Sequence, residues 1–472
     1  MKKSFWILFT LLFISLWGFA EKTPVNSLYQ YELPNGLKLF VAENHSVPLT
    51  YIEIAVRCGA YTQTPQNAGL FHLYEHMMFK GNALYKDSAS VNRAMSDMGV
   101  ANWNGTTGLE CVNYYFTVPS DLTYKGLEFW SYAIRTPLMD KEELESEKKV
   151  VISEIKGNSS DPGRVFSDKR NSILFSDAPY TMTPSGSEDV VKNASVKQLK
   201  DIQKKFYIPN NSALFVGGDV NPDEVYNWVK EIYGTWKKAK SPFARGTIFH
   251  SREPLSNPKF LVMPHEKLSG ELAQIIVNFR GPDALYDEND TYAADILSDL
   301  MSNPEGHFIQ SLVNDGSIGI PDSSYAGGGY YTRKTCGQLD FYCMVVQPEL
   351  DMSQRAEYFS KKIVSVLEEC ASGTSEEELS RIKERNEDYK IISSQTASGL
   401  LSNLRFWWTV CNENYFYSYA EKLAQVQNPD LEYFVKKYIA GKAPLVTVFV
   451  SPEVYEATKE SFAEAGFEEV KR

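Results

Sequence analysis

Apolar and polar residues alternate over Leu37-Lys-Leu-Phe-Val41 and Thr50-Tyr-Ile-Glu-Ile-Ala-Val56, a period of two that predicts a pair of strands. A turn at Gly59 then leads into a helix carrying His72 and His76. The same order returns later in the chain. Phe260-Leu-Val262 and Ala273-Gln-Ile-Ile-Val-Asn-Phe279 read as strands, and Gly281 leads into a helix around residues 292–301. Both stretches also close alike. Ala213-Leu-Phe-Val216 precedes Asn221-Pro222, and Leu445-Val-Thr-Val-Phe-Val450 precedes Ser451-Pro452, each a cap and proline opening a helix. The pattern predicts two related halves, residues 21–240 and 259–472, joined by a linker over 241–258 that Lys237-Lys-Ala-Lys-Ser-Pro242 introduces. Strands mixed with long helices, without a strict βαβ rhythm, predict an α+β fold in which each half is a mixed sheet flanked by helices.

Length and composition change this picture little. A chain of 472 residues, 43% of them hydrophobic, has ample core for two or three domains. A net charge of −12 and a pI near 5.2 argue against a nucleic-acid partner. Six cysteines are too sparse for a disulfide scaffold and read as small buried fillers, with a Cys336–Cys343 pairing across a hairpin left open. The first 20 residues change it more. Met1-Lys-Lys3, an apolar stretch too short to span a bilayer, and Gly18 and Ala20 before a plausible cut form a secretory signal, with an uncleaved anchor as the competing reading. The first cysteine is Cys58, so lipoprotein anchoring is not expected. The expectation is a protein exported to the periplasm or beyond, with no stable membrane insertion.

The chemistry concentrates at His72-Leu-Tyr-Glu75-His76. Positions four apart on a helix lie one above the other, so both imidazoles can grip one metal ion with Glu75 over the same spot. This is the inverted H-x-x-E-H form of the zinc-protease signature. With only six histidines in the chain, a chance pair on a surface helix is the weaker reading. Hydrolytic zinc takes three protein ligands and keeps one open position. The third ligand is expected at Glu154, on a helix that Asp140 caps and whose first turn is acidic. Glu147 lies two turns earlier on the same face, with Val150 and Val151 at helical spacing, so that face is expected to be buried. A buried carboxylate needs a partner or a metal. The alternative is that both glutamates flank the stripe and reach solvent.

Gly69-Leu-Phe-His72-Leu-Tyr-Glu75-His76-Met-Met-Phe-Lys80-Gly81-Asn82 resembles the signature of the pitrilysin, insulysin and mitochondrial processing peptidase family of inverzincins. Glu147 and Glu154 are similar to that family's downstream pair, which implies Glu154 as zinc ligand and Glu147 as an outer supporting group that orients His76 or a neighbouring group. Asn104-Gly105-Thr106-Thr107 resembles its Asn-Ala-x-Thr segment, a substrate-facing edge, with Gly105 in place of alanine. The resemblance runs along the mature chain and implies two homologous α/β-sandwich halves that together form half of a clam-shaped chamber. It further implies one Zn²⁺ per chain, Glu75 as general base, and an extended peptide held at Asn104 by β-augmentation.

Two departures matter. The second-half helix offers Asp295 and Asp299 and no histidine, and these acids are expected to be solvated or to face a partner. Active relatives carry an Arg and a Tyr seven apart in the second half, where this chain has Val313 and Ile320. Tyr325, Tyr330, Tyr331 and Arg333 lie nearby as possible substitutes, and Gly327-Gly-Gly329 reads as a flexible turn before a strand. The resemblance therefore implies the zinc-bearing subunit of a heterodimer whose homologous partner supplies the Arg/Tyr pair, acting on peptides or unfolded proteins. The rival readings are a peptide clamp with chaperone-like function and a structural subunit of a membrane complex.

Overall fold

The computed structural model describes residues 21–22, 27–176, 179–243, 253–347 and 351–471. Residues 1–20, with the expected signal peptide, and the middle of the expected linker lie outside them. Among the described residues no helix is long and apolar enough to cross a membrane.

In the first half, seven strands form one sheet: β1 (Glu21–Lys22), β2 (Leu28–Glu32), β3 (Lys38–Glu43), β4 (Leu49–Val56), β5 (Ala101–Thr107), β6 (Val112–Pro119) and β7 (Ser212–Gly218), in the order β1-β2-β3-β7-β4-β6-β5. The two strands expected to pair, β3 and β4, are not neighbours. β7 lies between them, parallel to β3 and antiparallel to β4. Every residue of β7 is buried, so this apolar segment belongs at the centre of a sheet covered on both faces.

The second half repeats the arrangement with β8 (Lys259–Pro264), β9 (Leu272–Arg280), β10 (Ala326–Tyr331), β11 (Gln338–Val346), β12 (Leu445–Val450) and β13 (Glu468–Glu469), in the order β10-β11-β9-β12-β8-β13. Here β12 enters between β8 and β9 with the same pair of directions. The repeat read from the sequence is thus a repeat of topology, with β5 and β10 as corresponding edges. Gly327 to Gly329 lie inside β10 and not in a turn ahead of it. A Cβ on Gly327 would come within 2.7 Å of the Tyr342 hydroxyl, so the glycine makes room for a cross-strand tyrosine.

Each sheet has a helical layer on one face and receives a helix from the other half on the opposite face. In β4, Ile52, Ile54 and Val56 face the first half's own core of Phe71, Tyr74, Phe116 and Trp130. The alternate residues Tyr51 and Ala55 meet Leu400, Leu401, Leu404 and Trp408. Those four form the apolar stripe of the second-half helix Ala397–Val410. Reciprocally, the first-half helix Pro162–Leu174 and the segment after it set Phe166, Phe175 and Tyr180 against Leu261, Met263 and Phe449 of the second half. Each crossing helix carries an arginine to the opposite sheet. Arg405 reaches Glu53 at 2.7 Å and Arg170 reaches Asp340 at 3.6 Å. All six cysteines are free, and five are buried, Cys336 and Cys343 among them.

Candidate metal centre

The metal helix, Leu70–Met77, starts at Gly69, which adopts φ +93°. A Cβ there would lie 2.5 Å from the Ser185 carbonyl oxygen, so only glycine lets the helix begin at this point. Leu70, Phe71, Leu73, Tyr74 and Met77 pin the helix to the core. His72 and His76 are left facing the helix Lys141–Ser159, whose N-cap Asp140 accepts hydrogen bonds from the Glu142 and Glu143 amides, as expected.

That second helix brings Glu154 and Glu147 to the histidines from opposite sides. Glu154 Oε2 lies 3.6 Å from His72 Nε2 and 3.7 Å from His76 Nε2, and the two imidazole nitrogens are 3.3 Å apart. Ligands at about 2.1 Å from a tetrahedral zinc are separated by about 3.4 Å, so three protein atoms match three corners of such a site. Burial and the neighbouring His76 lower the pKa of His72 to about 4, so it stands as a neutral imidazole with a lone pair to give.

The expected burial of the glutamate face holds only in part. Glu147 is buried, but the Glu154 side chain is 44% exposed and Val150 is exposed as well. The buried stripe is centred on Leu144, Lys148 and Val151. At 100° per residue this puts Val150 about 120° round the helix and leaves the two glutamates at the stripe's edge.

Glu147 Oε2 accepts from His76 Nδ1 at 3.0 Å, and its Oε1 meets Lys80 Nζ at 2.7 Å. Glu75 Oε2 accepts from the Thr107 hydroxyl at 3.2 Å and lies 4.0 Å from His72 Nε2. Burial pushes the Glu75 pKa up against the opposing pull of His76 and Thr107, towards the range in which a carboxylate takes and returns protons. Lys80 and Thr107 belong to the segments Gly69–Asn82 and Asn104–Thr107, yet their spacing carries no sign of these contacts.

β5 forms the rim of the site. It is the edge of its sheet, Asn104 on it is exposed, and Asn102 at φ +50° marks the irregularity where its register shifts. Gly105 lies against the general-base candidate: a Cβ there would fall 2.7 Å from Glu75 Oε1 and 3.0 Å from the Phe79 ring.

The second half holds no such cluster among the described residues. Asp295 accepts from the Tyr419 hydroxyl at 2.8 Å, and burial raises its pKa to about 7. Asp299 is held by Arg385 at 2.7 Å and by Asn386. The expectation of solvated or partner-facing acids is therefore corrected, since both are engaged by groups of their own half. Ile320 is buried and Val313 packs against the second core. Tyr330 donates to the Pro282 carbonyl, and Arg333 lies over Phe175 and Tyr180.

Residues 39–185 match the family model for insulinase, peptidase family M16, and residues 193–386 match that for the peptidase M16 inactive domain. The chain belongs to the M16 peptidase family. The M16 chain is 22% identical over 432 residues to the zinc protease PqqE of Helicobacter pylori, covering 89% of this chain and 92% of that one. The first half of the periplasmic protease PqqL of Escherichia coli superposes with a TM-score of 0.74 at 18% identity, covering 94% of this chain and 95% of that one. Against whole PqqL the TM-score is 0.73 at 17% identity, and the match again covers 94% of this chain but 49% of that one. This M16 chain therefore spans about half the length of whole PqqL.

Proposed function

We propose that this chain is an exported zinc endopeptidase that hydrolyses extended peptides, and that it is the zinc-bearing subunit of a dimer whose homologous partner supplies the missing Arg/Tyr pair. One observation carries the reading: three ligand atoms at tetrahedral spacing, with a buried acid beside them and an open strand edge alongside. His72, His76 and Glu154 hold one zinc, whose Lewis acidity lowers the pKa of water and polarises a carbonyl.

The chain's own residues do the rest. β5 takes the peptide as an added strand, fixed by main-chain hydrogen bonds with Asn104 at its rim, which tolerates varied side chains. Gly105 lets that strand pass close to Glu75. Glu75, steadied by Thr107, accepts the proton from water and returns it to the leaving amine. Export rests on the first 20 residues, and a periplasmic relative of the same fold supports it.

The partner follows from Val313 and Ile320. Both are fillers of the second core, and neither carries a charge or a hydrogen-bond donor to set against a scissile carbonyl. The same observation favours a second reading, a peptide clamp that holds and does not cut. Hydrolysis of a quenched-fluorescent peptide mixture by the zinc-loaded chain, blanked against Glu75→Gln, separates the two. Turnover above the blank, alone or restored by a half-length homologue, supports the peptidase. Stoichiometric zinc and peptide binding without turnover under either condition overturns it in favour of the clamp. Isolation of the native protein as a fully active homodimer would overturn the heterodimer.

A further inference from the structure

We propose that Lys80 is a positioning residue of the metal centre: its ammonium holds Glu147, and through it the orientation of His76. The inference rests on the reading that His72, His76 and Glu154 bind zinc, and it assigns a role to a residue outside that set.

The metal helix ends at Met77, and the chain turns through Phe79 into Gly81 at φ +120°. This turn brings Lys80 one helical turn beyond His76 and back over the far side of that imidazole. Glu147 lies between them with its side chain only 8% exposed, one oxygen on His76 Nδ1 at 3.0 Å and the other on Lys80 Nζ at 2.7 Å. When His76 ligates through Nε2, its ring is neutral and carries its proton on Nδ1. The imidazole then offers Glu147 a hydrogen bond but no charge. Lys80 supplies the cation that a carboxylate in this position needs, and fixes the rotamer that aims Oε2 at Nδ1.

The second half holds its acid differently: Asp299, on the helix Glu288–Ser302, is met by Asn386 and by Arg385 at 2.7 Å, with no histidine between carboxylate and cation. Lys148, one residue from Glu147, turns instead to Glu145 at 2.6 Å and cannot take over.

The test is zinc affinity, measured by competition with a chromogenic chelator on the metal-free full chain. Lys80→Met is expected to weaken zinc binding by about 10- to 100-fold, the usual effect of losing a group behind a metal ligand. Lys80→Arg should restore most of it. In a Glu147→Gln background, Lys80→Met should add no further loss, because the lysine acts through that carboxylate. Should Lys80→Met fail to fold, Lys80→Gln gives the same readout with a smaller change in volume. Wild-type affinity in either variant, or full additivity with Glu147→Gln, overturns the role of Lys80 and leaves the metal site standing. Failure of the wild-type chain to bind zinc overturns the site and this inference together.

Discussion

Arg405→Met tests whether the two halves are held together by a buried ion pair. Glu53 is fully buried on β4, and its carboxylate is engaged by Arg405 at 2.7 Å, the Asn113 amide at 2.7 Å and the Tyr51 hydroxyl at 2.9 Å. Methionine keeps an unbranched apolar stem at this position but removes the charge. The carboxylate is then left inside with two neutral donors. Breaking a buried pair from one side costs about 3–5 kcal/mol, whereas replacing both partners by neutral groups of similar volume costs about 1 kcal/mol or less. The expectation is therefore that adding Glu53→Gln to Arg405→Met recovers about 2–4 kcal/mol, read from denaturant midpoints of wild type, both single variants and the double.

The pH dependence has a definite sign. Burial already raises the Glu53 pKa against the pull of Arg405, and losing the arginine raises it further. A carboxyl whose folded pKa is raised contributes stability that is present below its unfolded pKa and lost as pH rises through the folded one. The deficit of Arg405→Met should accordingly be smaller at pH 5 than at pH 8. A single variant within about 1 kcal/mol of wild type at pH 8, or a double variant as destabilised as the sum of the singles, would refute the reasoning.

Three further outcomes follow from the same geometry. Gly105→Ala sets a methyl 2.7 Å from Glu75 Oε1, and Phe79 cannot yield because Trp103, Tyr114 and Trp130 surround it; kcat should fall by about 10- to 100-fold with zinc content unchanged, since a displacement near 1 Å costs about 100-fold. Asp295, at about 7, favours folding at low pH and loses that contribution as pH rises through 7. Asp295→Asn keeps an oxygen for Tyr419, so it should gain on wild type by on the order of 2 kcal/mol between pH 5.5 and 8.5, measured by thermal melts. Free zinc at 100 times its dissociation constant should stabilise the metal-free chain by about 2.7 kcal/mol, seen calorimetrically as a rise in melting temperature that His72→Ala abolishes.

Much of the site was legible because a helix is its own ruler. Residues four apart share a face whatever the rest of the chain does, so His72, His76 and the Asp140 cap could be placed from spacing alone. Glu154 was harder, since its helix is legible but the packing of that helix on the metal helix is not. The pairing of β3 with β4 failed for a related reason. Alternation marks a strand and its faces, but it carries no information about a central strand arriving some 160 residues later.

From the sequence alone came the motif, Glu154 as its candidate third ligand and the two related halves. These rest on local periodicity and on the donor chemistry of side chains. Only the tertiary structure decided that the halves exchange helices, that Glu53 and Arg405 meet across 352 positions, that Lys80 stands behind Glu147 and that Gly105 adjoins Glu75. Each of these depends on the distance between segments far apart in the chain. That distance is set by how whole elements pack, and no local pattern encodes it.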